Sequence, residues 1–237
     1  MPGPFHATAH FYDRAYGHID YAGHAATVER IIRARNPEAA SLLDVACGTG
    51  KHLEIWQGRF EVEGADIDPN MLAVARLRLP GISLHEVDFT DFDLGRRFDA
   101  VTCLFSSIGY AHTPERLDAA IASMARHLSP GGVLVVEPWL APDRVRPPWV
   151  RLVAHEDEDW VMARTSRMHY DPDTGISDME FTYVFTTMEG SEVFTEHHVM
   201  GVRPPERYVA AAARVGLRAE FDPVGTYLER GLLIGVR

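Results

Sequence analysis

Two cysteines in 237 residues exclude a disulfide framework. Both Cys47 and Cys103 sit inside apolar runs and read as packed thiols. Basic charge is scarce as well: 23 Lys and Arg against 34 Asp and Glu give a formal net charge of −11. Tracking a nucleic-acid backbone takes a basic stripe, and none is visible, so nucleic acid is not expected as a partner. A local basic pocket for one anionic small molecule stays open. No apolar run reaches the length of a membrane span. Met1 to His10 lacks the charged start and apolar stretch of a secretory signal. A cytoplasmic protein without membrane contact is the expectation.

The chain has no internal repeat, and its hydrophobic share of 46% suffices to bury a core without staples. An N-terminal segment with Phe11, Tyr12 and Tyr16 precedes an expected helix at Tyr21–Arg35, stopped by Asn36-Pro37. Expected strands at Ser41–Ala46, Val62–Asp66, Ile82–Val87, Ala100–Phe105 and Val133–Val136 alternate with expected helices starting at Lys51, Pro69 and Glu115. Such alternation predicts an α/β fold with a parallel sheet covered by helices. Ser129-Pro130-Gly131-Gly132 reads as a break before the fifth strand. After Pro138 the texture changes. Pro142, Pro147 and Pro148 mark irregular chain, and long strands with turns follow from Trp160 to Val202. Met179, Phe181, Tyr183 and Phe185 alternate with polar neighbours, as on a half-exposed antiparallel sheet. A helix at Pro205–Val215 and strands at Leu217–Phe221 and Leu232–Val236 close the chain. The expected organisation is a core over 1–139, a β-rich insertion over 140–204 and a return to the core over 205–237.

The chemistry concentrates at Asp44-Val45-Ala46-Cys47-Gly48-Thr49-Gly50. A glycine turn after a buried strand lets a ligand approach the backbone closely, although any tight strand-to-helix turn uses glycines too. Gly64-Ala65-Asp66-Ile67-Asp68 puts a carboxylate at the end of the next strand, where it can accept both hydroxyls of a ribose. Val87-Asp88-Phe89 adds a polar side chain and an apolar surface suited to adenine. The third glycine of the dinucleotide fingerprint is replaced by Leu53, which argues for a nucleoside without a pyrophosphate.

L-L-D-V-A-C-G-T-G followed by G-A-D-I-D-P-N-M-L resembles motifs I and II of the class I S-adenosylmethionine (SAM)-dependent methyltransferases. H-L-S-P-G-G-V-L-V-V-E-P resembles their later helix–turn–strand. Ala46 stands where the family pattern usually has glycine. The resemblance implies a Rossmann-like seven-stranded sheet carrying an antiparallel β-rich insertion. It also implies SAM as cofactor without a metal. In that reading Ala46, Cys47, Gly48 and Gly50 hold the methionine portion, and Asp66 holds the ribose. Ile67, Asp88 and Phe89 bind the adenine, and Leu104 lies near the cofactor.

F-Y-D-R-A-Y, L-F-S-S-I-G-Y, V-V-E-P-W and R-G-L-L-I-G-V, spread over the chain, extend the resemblance to the nucleotide-sugar amine N,N-dimethyltransferases of antibiotic pathways of the desosamine and mycaminose type. This implies a dTDP-linked 3-amino sugar as substrate, two successive methylations and a homodimer. Tyr16 is then placed beside the transferring methyl group, with an aromatic helix staple as its alternative. Ser106, Ser107, Tyr110, Trp139 and Arg230 are expected at the substrate, Arg230 facing a diphosphate; turn chemistry and a solvated arginine are the alternatives. Glu137 orients the amine or caps a loop. His198 is a base or sugar contact, or else a core or surface histidine. His197 is expected on the opposite face of the same strand, so the two do not share a metal. The expected function is N-methylation of a dTDP-linked amino sugar. O-methylation of another metabolite and a non-catalytic SAM-binding scaffold are the alternatives.

Overall fold

The structure, a computed structural model, describes residues 9, 11–146, 149–226 and 230–237. A short helix α1 (Tyr12–Ala15) leads into α2 (Tyr21–Arg35), whose N-terminus is capped by Asp20 accepting from the Gly23 amide at 2.9 Å. Strand β1 (Ser41–Val45), helix α3 (Lys51–Trp56), strand β2 (Glu61–Asp66), helix α4 (Pro69–Arg78) and strand β3 (Ser83–Glu86) follow. Next come β4 (Phe98–Cys103), α5 (Pro114–Arg126) and β5 (Leu128–Val136). Helices α4 and α5 start alike: Asp68 or Thr113 caps the first turn, and proline takes the first helical position.

Four antiparallel strands then run as a meander: β6 (Trp149–Glu156), β7 (Trp160–Asp171), β8 (Ile176–Thr187) and β9 (Gly190–Gly201). Helix α6 (Pro205–Arg214) and strands β10 (Arg218–Asp222) and β11 (Leu232–Val236) return to the first sheet. That sheet has seven strands in the order β3-β2-β1-β4-β5-β11-β10. It is parallel except for β11, which pairs antiparallel with both neighbours. The order reverses between β1 and β4. In open α/β sheets the crevice at such a point is where ligands bind.

Two local outcomes depart from the sequence reading. Ser129–Gly132 interrupts pairing without ending the strand: Phe98 pairs with Leu128 and Ala100 with Val133, so the four residues loop out of β5. Strand β6 lies ahead of Trp160, where the sequence pattern starts the long strands. Its apolar residues Val150 and Leu152 face solvent, so they carry no inward alternation to detect.

The meander is two-faced. Met162, Arg164, Phe181, Tyr183, Phe194, Glu196 and His198 share its inner face, matched across strands by the pairs Arg164↔Tyr183, Phe181↔Glu196 and Met179↔His198. Phe11, Ala15 and Tyr16 pack against one end of this face, and Trp139, Tyr110 and Val202 against the other. The second sheet thereby covers the segments at the C-terminal ends of the first sheet's strands.

Candidate active site

The turn after β1 takes three left-handed residues in five: Ala46 at φ 58°, Gly48 at 56° and Gly50 at 79°. Gly50 is forced twice, because a Cβ there would meet Leu79 Cδ1 at 2.8 Å. At Gly48 a Cβ would meet nothing within 4 Å, so the backbone there borders open space. The turn is tied to the next strand: the Gly48 amide donates to Asp66 Oδ2 at 2.8 Å and the Asp68 amide to Oδ1 at 2.9 Å. Asp13 of α1 holds it from the other side, accepting from the Thr49 hydroxyl at 2.7 Å and pairing with Arg78.

Above the turn lies an open-mouthed cavity. Tyr12, Tyr21, Asp44, His52, Phe105 and Ser107 line it together with Ala46, Cys47, Gly48 and Leu104. The acids around it differ. Burial pushes Asp44 up to about 7, the Thr102 hydroxyl at 2.7 Å pulls it down, and Asp66 adds to the rise. Burial also raises Asp66, against its bonds from Asp68 and Gly48. Burial raises both cysteine thiols, which leaves them inert.

Beyond Asp66, Ile67 is 53% exposed, an apolar side chain presented to solvent beside the crevice. Asp88 accepts from the Thr90 amide at 2.8 Å and hydroxyl at 2.7 Å, and from Arg116 at 3.2 Å. Burial opposes its ionisation, but these bonds prevail and lower its pKa. Phe89 is partly buried against the main core.

The residues expected at the acceptor separate into two groups. In the first, Ser106 lies at φ 62° and donates to the Pro138 carbonyl at 2.7 Å. The Arg230 guanidinium donates to the Ser106 hydroxyl at 2.6 Å and stacks over Trp139 at 4.4 Å. Ser106, Trp139 and Arg230 are thus brought together, and Arg230 is not a solvated turn residue. Glu137, 1% exposed, turns onto its own chain. It accepts from the Phe105 amide at 2.8 Å and the Thr226 hydroxyl at 2.9 Å. The geometry is that of a loop cap, and Glu137 stands behind the cavity wall, bonded to its lining residue Phe105.

The second group sits on the meander. His198, 2% exposed, has its Nδ1 2.7 Å from the Tyr110 hydroxyl and its Nε2 3.4 Å from Glu196. His197 lies on the outer face near Glu180. Burial, then Tyr16, Glu196 and Asp66, raise the Tyr110 phenol. Tyr16 receives a hydrogen bond from Arg164 at 3.0 Å and lines a small aromatic cavity with Phe11, Met162 and Tyr183. Tyr16 is therefore apart from the lining of the glycine-turn cavity. Tyr12 lines both cavities.

Asp44, His52, Arg164 and Glu196 escaped the sequence reading. A signal existed for Glu196, two residues before His198 and so on the same strand face. For Asp44 the signal was its place inside the glycine motif itself. Among the described residues no group of three His, Cys, Asp or Glu is placed to hold a metal ion, and no helix is long and apolar enough to cross a membrane.

Comparison with known proteins agrees with this geometry. Residues 42–132 match the Methyltransferase domain family. The chain is 42% identical to the dTDP-3-amino-3,4,6-trideoxy-alpha-D-glucopyranose N,N-dimethyltransferase of Streptomyces venezuelae, over 92% of this chain and 91% of that one. It is 40% identical to the dTDP-4-amino-2,3,4,6-tetradeoxy-D-glucose N,N-dimethyltransferase of Saccharopolyspora spinosa, over 92% and 87%. The crystal structure of Streptomyces venezuelae DesVI superposes with a TM-score of 0.91 at 40% identity, covering 96% of this chain and 97% of that one. SAM-bound CalS10, an amino pentose methyltransferase from Micromonospora echinaspora involved in calicheamicin biosynthesis, superposes with a TM-score of 0.86 at 40% identity, covering 95% and 96%. The likeness spans nearly the whole chain, and this protein belongs to the SAM-dependent nucleotide-sugar amine N,N-dimethyltransferases.

Proposed function

We propose that the protein transfers two methyl groups in succession from SAM to the amino group of a dTDP-linked amino sugar, as a cytoplasmic homodimer. The observation that carries this is the 42% identity to a dTDP-amino-sugar N,N-dimethyltransferase over 92% of the chain, too much of it to omit the second sheet. Relatives named for 3-amino and for 4-amino sugars match about equally, so the amine and the nucleotide are the shared features.

The donor set suits the cofactor. Open space at Gly48 admits a ligand to the backbone, with Ala46, Cys47 and Gly50 beside its methionine portion. Asp66, already an acceptor of two amides, is aligned to take the ribose hydroxyls. Ile67 and Phe89 flank the adenine, and Asp88 keeps lone pairs for its edge. Leu104, in the cavity lining, would lie near the cofactor. Bound SAM supplies a methyl group on a cationic sulfur, whose departure needs no acid.

The protein's own work is to orient an unprotonated amine and to hold the proton it gives up. Orientation alone lowers such a barrier by about 7–11 kcal/mol. Each transfer leaves an ammonium that must lose a proton before the next. Tyr110, His198 and Glu196 supply linked groups for that proton. Arg164, over the Phe181 ring at 4.7 Å, and Tyr16 frame the sugar. Arg230, with Ser106 and Trp139, would receive the diphosphate, and Ser107, in the lining of the glycine-turn cavity, would contact the substrate. The segment 140–204 acts as the acceptor-side unit, and a second copy of the chain covers the outer face of its sheet, where Val150, Leu152 and Val193 are exposed.

Mass spectrometry of purified protein with SAM and a dTDP-amino sugar tests the reading. Additions of one and then two methyl groups are expected. Calorimetry that detects the cofactor product but no dTDP ligand would remove the acceptor assignment.

A further inference from the structure

Among the described residues, the glycine-turn cavity and the small aromatic cavity share one lining residue, Tyr12. Its neighbours in the chain show why. Phe11 is anchored in the second sheet, its ring 4.0 Å from that of Phe185 and 5.6 Å from that of Phe194. Asp13 is anchored at the first, accepting from the Thr49 hydroxyl at 2.7 Å and pairing with Arg78. Tyr12 thus stands where α1 passes from one sheet to the other. Its ring lies 4.6 Å from that of Tyr16.

The state of its phenol limits what Tyr12 can offer there. Burial raises the phenol well above the ordinary tyrosine pKa, and Tyr16, Tyr21, Tyr110 and Tyr183 raise it further. These four come from both sides of the site. Tyr21 lines the glycine-turn cavity, Tyr16 and Tyr183 line the aromatic one, and Tyr110 is bonded to His198. A phenol so placed stays neutral and takes up no proton from the amine. Its ring keeps a negative π face, which attracts cations. The neighbouring rings already hold one: the Arg164 guanidinium lies over Phe181 at 4.7 Å, Tyr16 at 5.6 Å and Tyr183 at 5.9 Å.

Methyl transfer from SAM to an amine moves one positive charge. It starts on the donor's sulfur and ends on the acceptor's nitrogen, along a line through the methyl carbon. The methyl group must leave the glycine-turn cavity on the acceptor side, where Tyr12 is the wall common to both cavities. Tyr21 and Phe105 also line the glycine-turn cavity, but they stack on each other at 5.4 Å and do not border the aromatic one. We propose that the Tyr12 ring lies against the sulfonium of bound SAM and then against the ammonium formed by transfer, a cation–π contact that favours the donor over its demethylated product. This rests on the reading of the glycine-turn cavity as the SAM site. The charge faces the same ring before and after transfer, so the contact strengthens donor binding more than it speeds the chemical step.

SAM and S-adenosylhomocysteine differ by one methyl group and one positive charge. Calorimetry on Tyr12→Leu, which keeps bulk and loses the ring, should show SAM weakened about fivefold more than S-adenosylhomocysteine. Tyr12→Phe should keep the wild-type ratio of the two affinities. Fluorinated phenylalanines at position 12 retain the ring's shape and withdraw its electrons, and the ratio should fall stepwise with each added fluorine. Tyr21→Leu should weaken both ligands by the same factor. In steady state, Tyr12→Leu should raise KM for SAM and leave kcat within about threefold. Equal weakening of both ligands in Tyr12→Leu, or a ratio that ignores fluorination, would reduce Tyr12 to packing and overturn the proposal. A ratio lost in Tyr12→Phe would assign the preference to the hydroxyl, and one lost in Tyr21→Leu alone would put the sulfonium against the other ring; either overturns it too. Wild-type protein that binds neither ligand would instead defeat the SAM site itself.

Discussion

The two sheets hold their functional charges by opposite means. At the edge of the seven-stranded sheet, acids are fastened to backbone amides: Asp66 to Gly48 and Asp68, Asp88 to Thr90. On the inner face of the meander, charges are held by side chains. Arg164 lies against Phe181, Tyr16 and Tyr183, and Glu196 and His198 are 4% and 2% exposed beside Tyr110. An acid tied to a turn cannot change without rebuilding the turn, which suits a ligand common to every methyltransferase of this fold. A charge tied to its strand neighbours can be exchanged one residue at a time, which suits an acceptor that differs between relatives. The same contrast appears in strain. Among the described residues, the non-glycine residues with left-handed backbone, Ala46, Phe105 and Ser106, all follow β1 or β4, and none lies in the meander.

Asp66→Ala should test the first half hardest. It removes the acceptor proposed for both ribose hydroxyls and frees the Gly48 amide. Hydrogen bonds to charged groups contribute about 1.5–3 kcal/mol each, so affinity for the cofactor product should fall about 100-fold by calorimetry. Affinity for dTDP should stay within about twofold, because Arg230, Ser106 and Trp139 are untouched. A parallel loss of dTDP binding would show that the change at Asp66 disturbs more than the turn.

Glu196→Gln should do the reverse, with a smaller effect. The substitution keeps shape and removes charge from the His198–Glu196 pair. Methyl transfer should slow about tenfold or more, the pH–rate profile should move, and monomethylated product should accumulate, since the second transfer needs the first proton removed. Affinity for the cofactor product should be unchanged. A slower rate with an unmoved pH profile would mean that Glu196 only packs.

Legibility in the sequence followed the same division. The glycine turn and Asp66 could be read because backbone geometry demands those residue types at those places. The β8 face could be read because burial of Met179, Tyr183 and Phe185, with Phe181 half-buried between them, imposes a two-residue period. Strand β6 could not, since Val150 and Leu152 point outward. Glu196 was hidden because an acid in a strand ordinarily marks the wet face, and only packing by Tyr110 and the meander buries it. Glu137 and Arg230 have partners far along the chain, Thr226 and Ser106, and no local pattern announces such contacts. His52 is the extreme case, because its bonding partner His24 is 28 residues away.

A pH experiment sharpens the turn side further. Asp44 titrates near 7 in the folded protein because it is buried, with Thr102 opposing and Asp66 adding, and near 4 when unfolded. Between those values the unfolded chain has already released its proton. Asp44 therefore reduces stability progressively as pH rises from about 4 to about 7. A cation bound beside Asp44 favours its ionised form. Affinity for the cofactor product should accordingly climb with pH, by up to about tenfold, and level off above about 7. Asp44→Asn should flatten that climb. A curve as steep in the variant as in the wild type would assign the dependence to another group.

The smallest expected effect concerns the strain itself. Ala46 at φ 58° stands where a left-handed alanine costs about 1–2 kcal/mol. Ala46→Gly relieves that cost, but glycine gives the unfolded chain about 0.5–1 kcal/mol more conformational freedom. The difference leaves a net stabilisation of about 0.5 kcal/mol, or about 1–2 °C in Tm for a chain of this size. The Ala46 methyl also packs against the main core, which works against the glycine. A Tm that falls would show that this contact outweighs the strain, and that alanine at the turn contributes to stability. A Tm that rises without any change in cofactor affinity would show that the turn holds its shape through Gly48, Gly50 and the Asp66 bonds, and that the strain at Ala46 is incidental to binding.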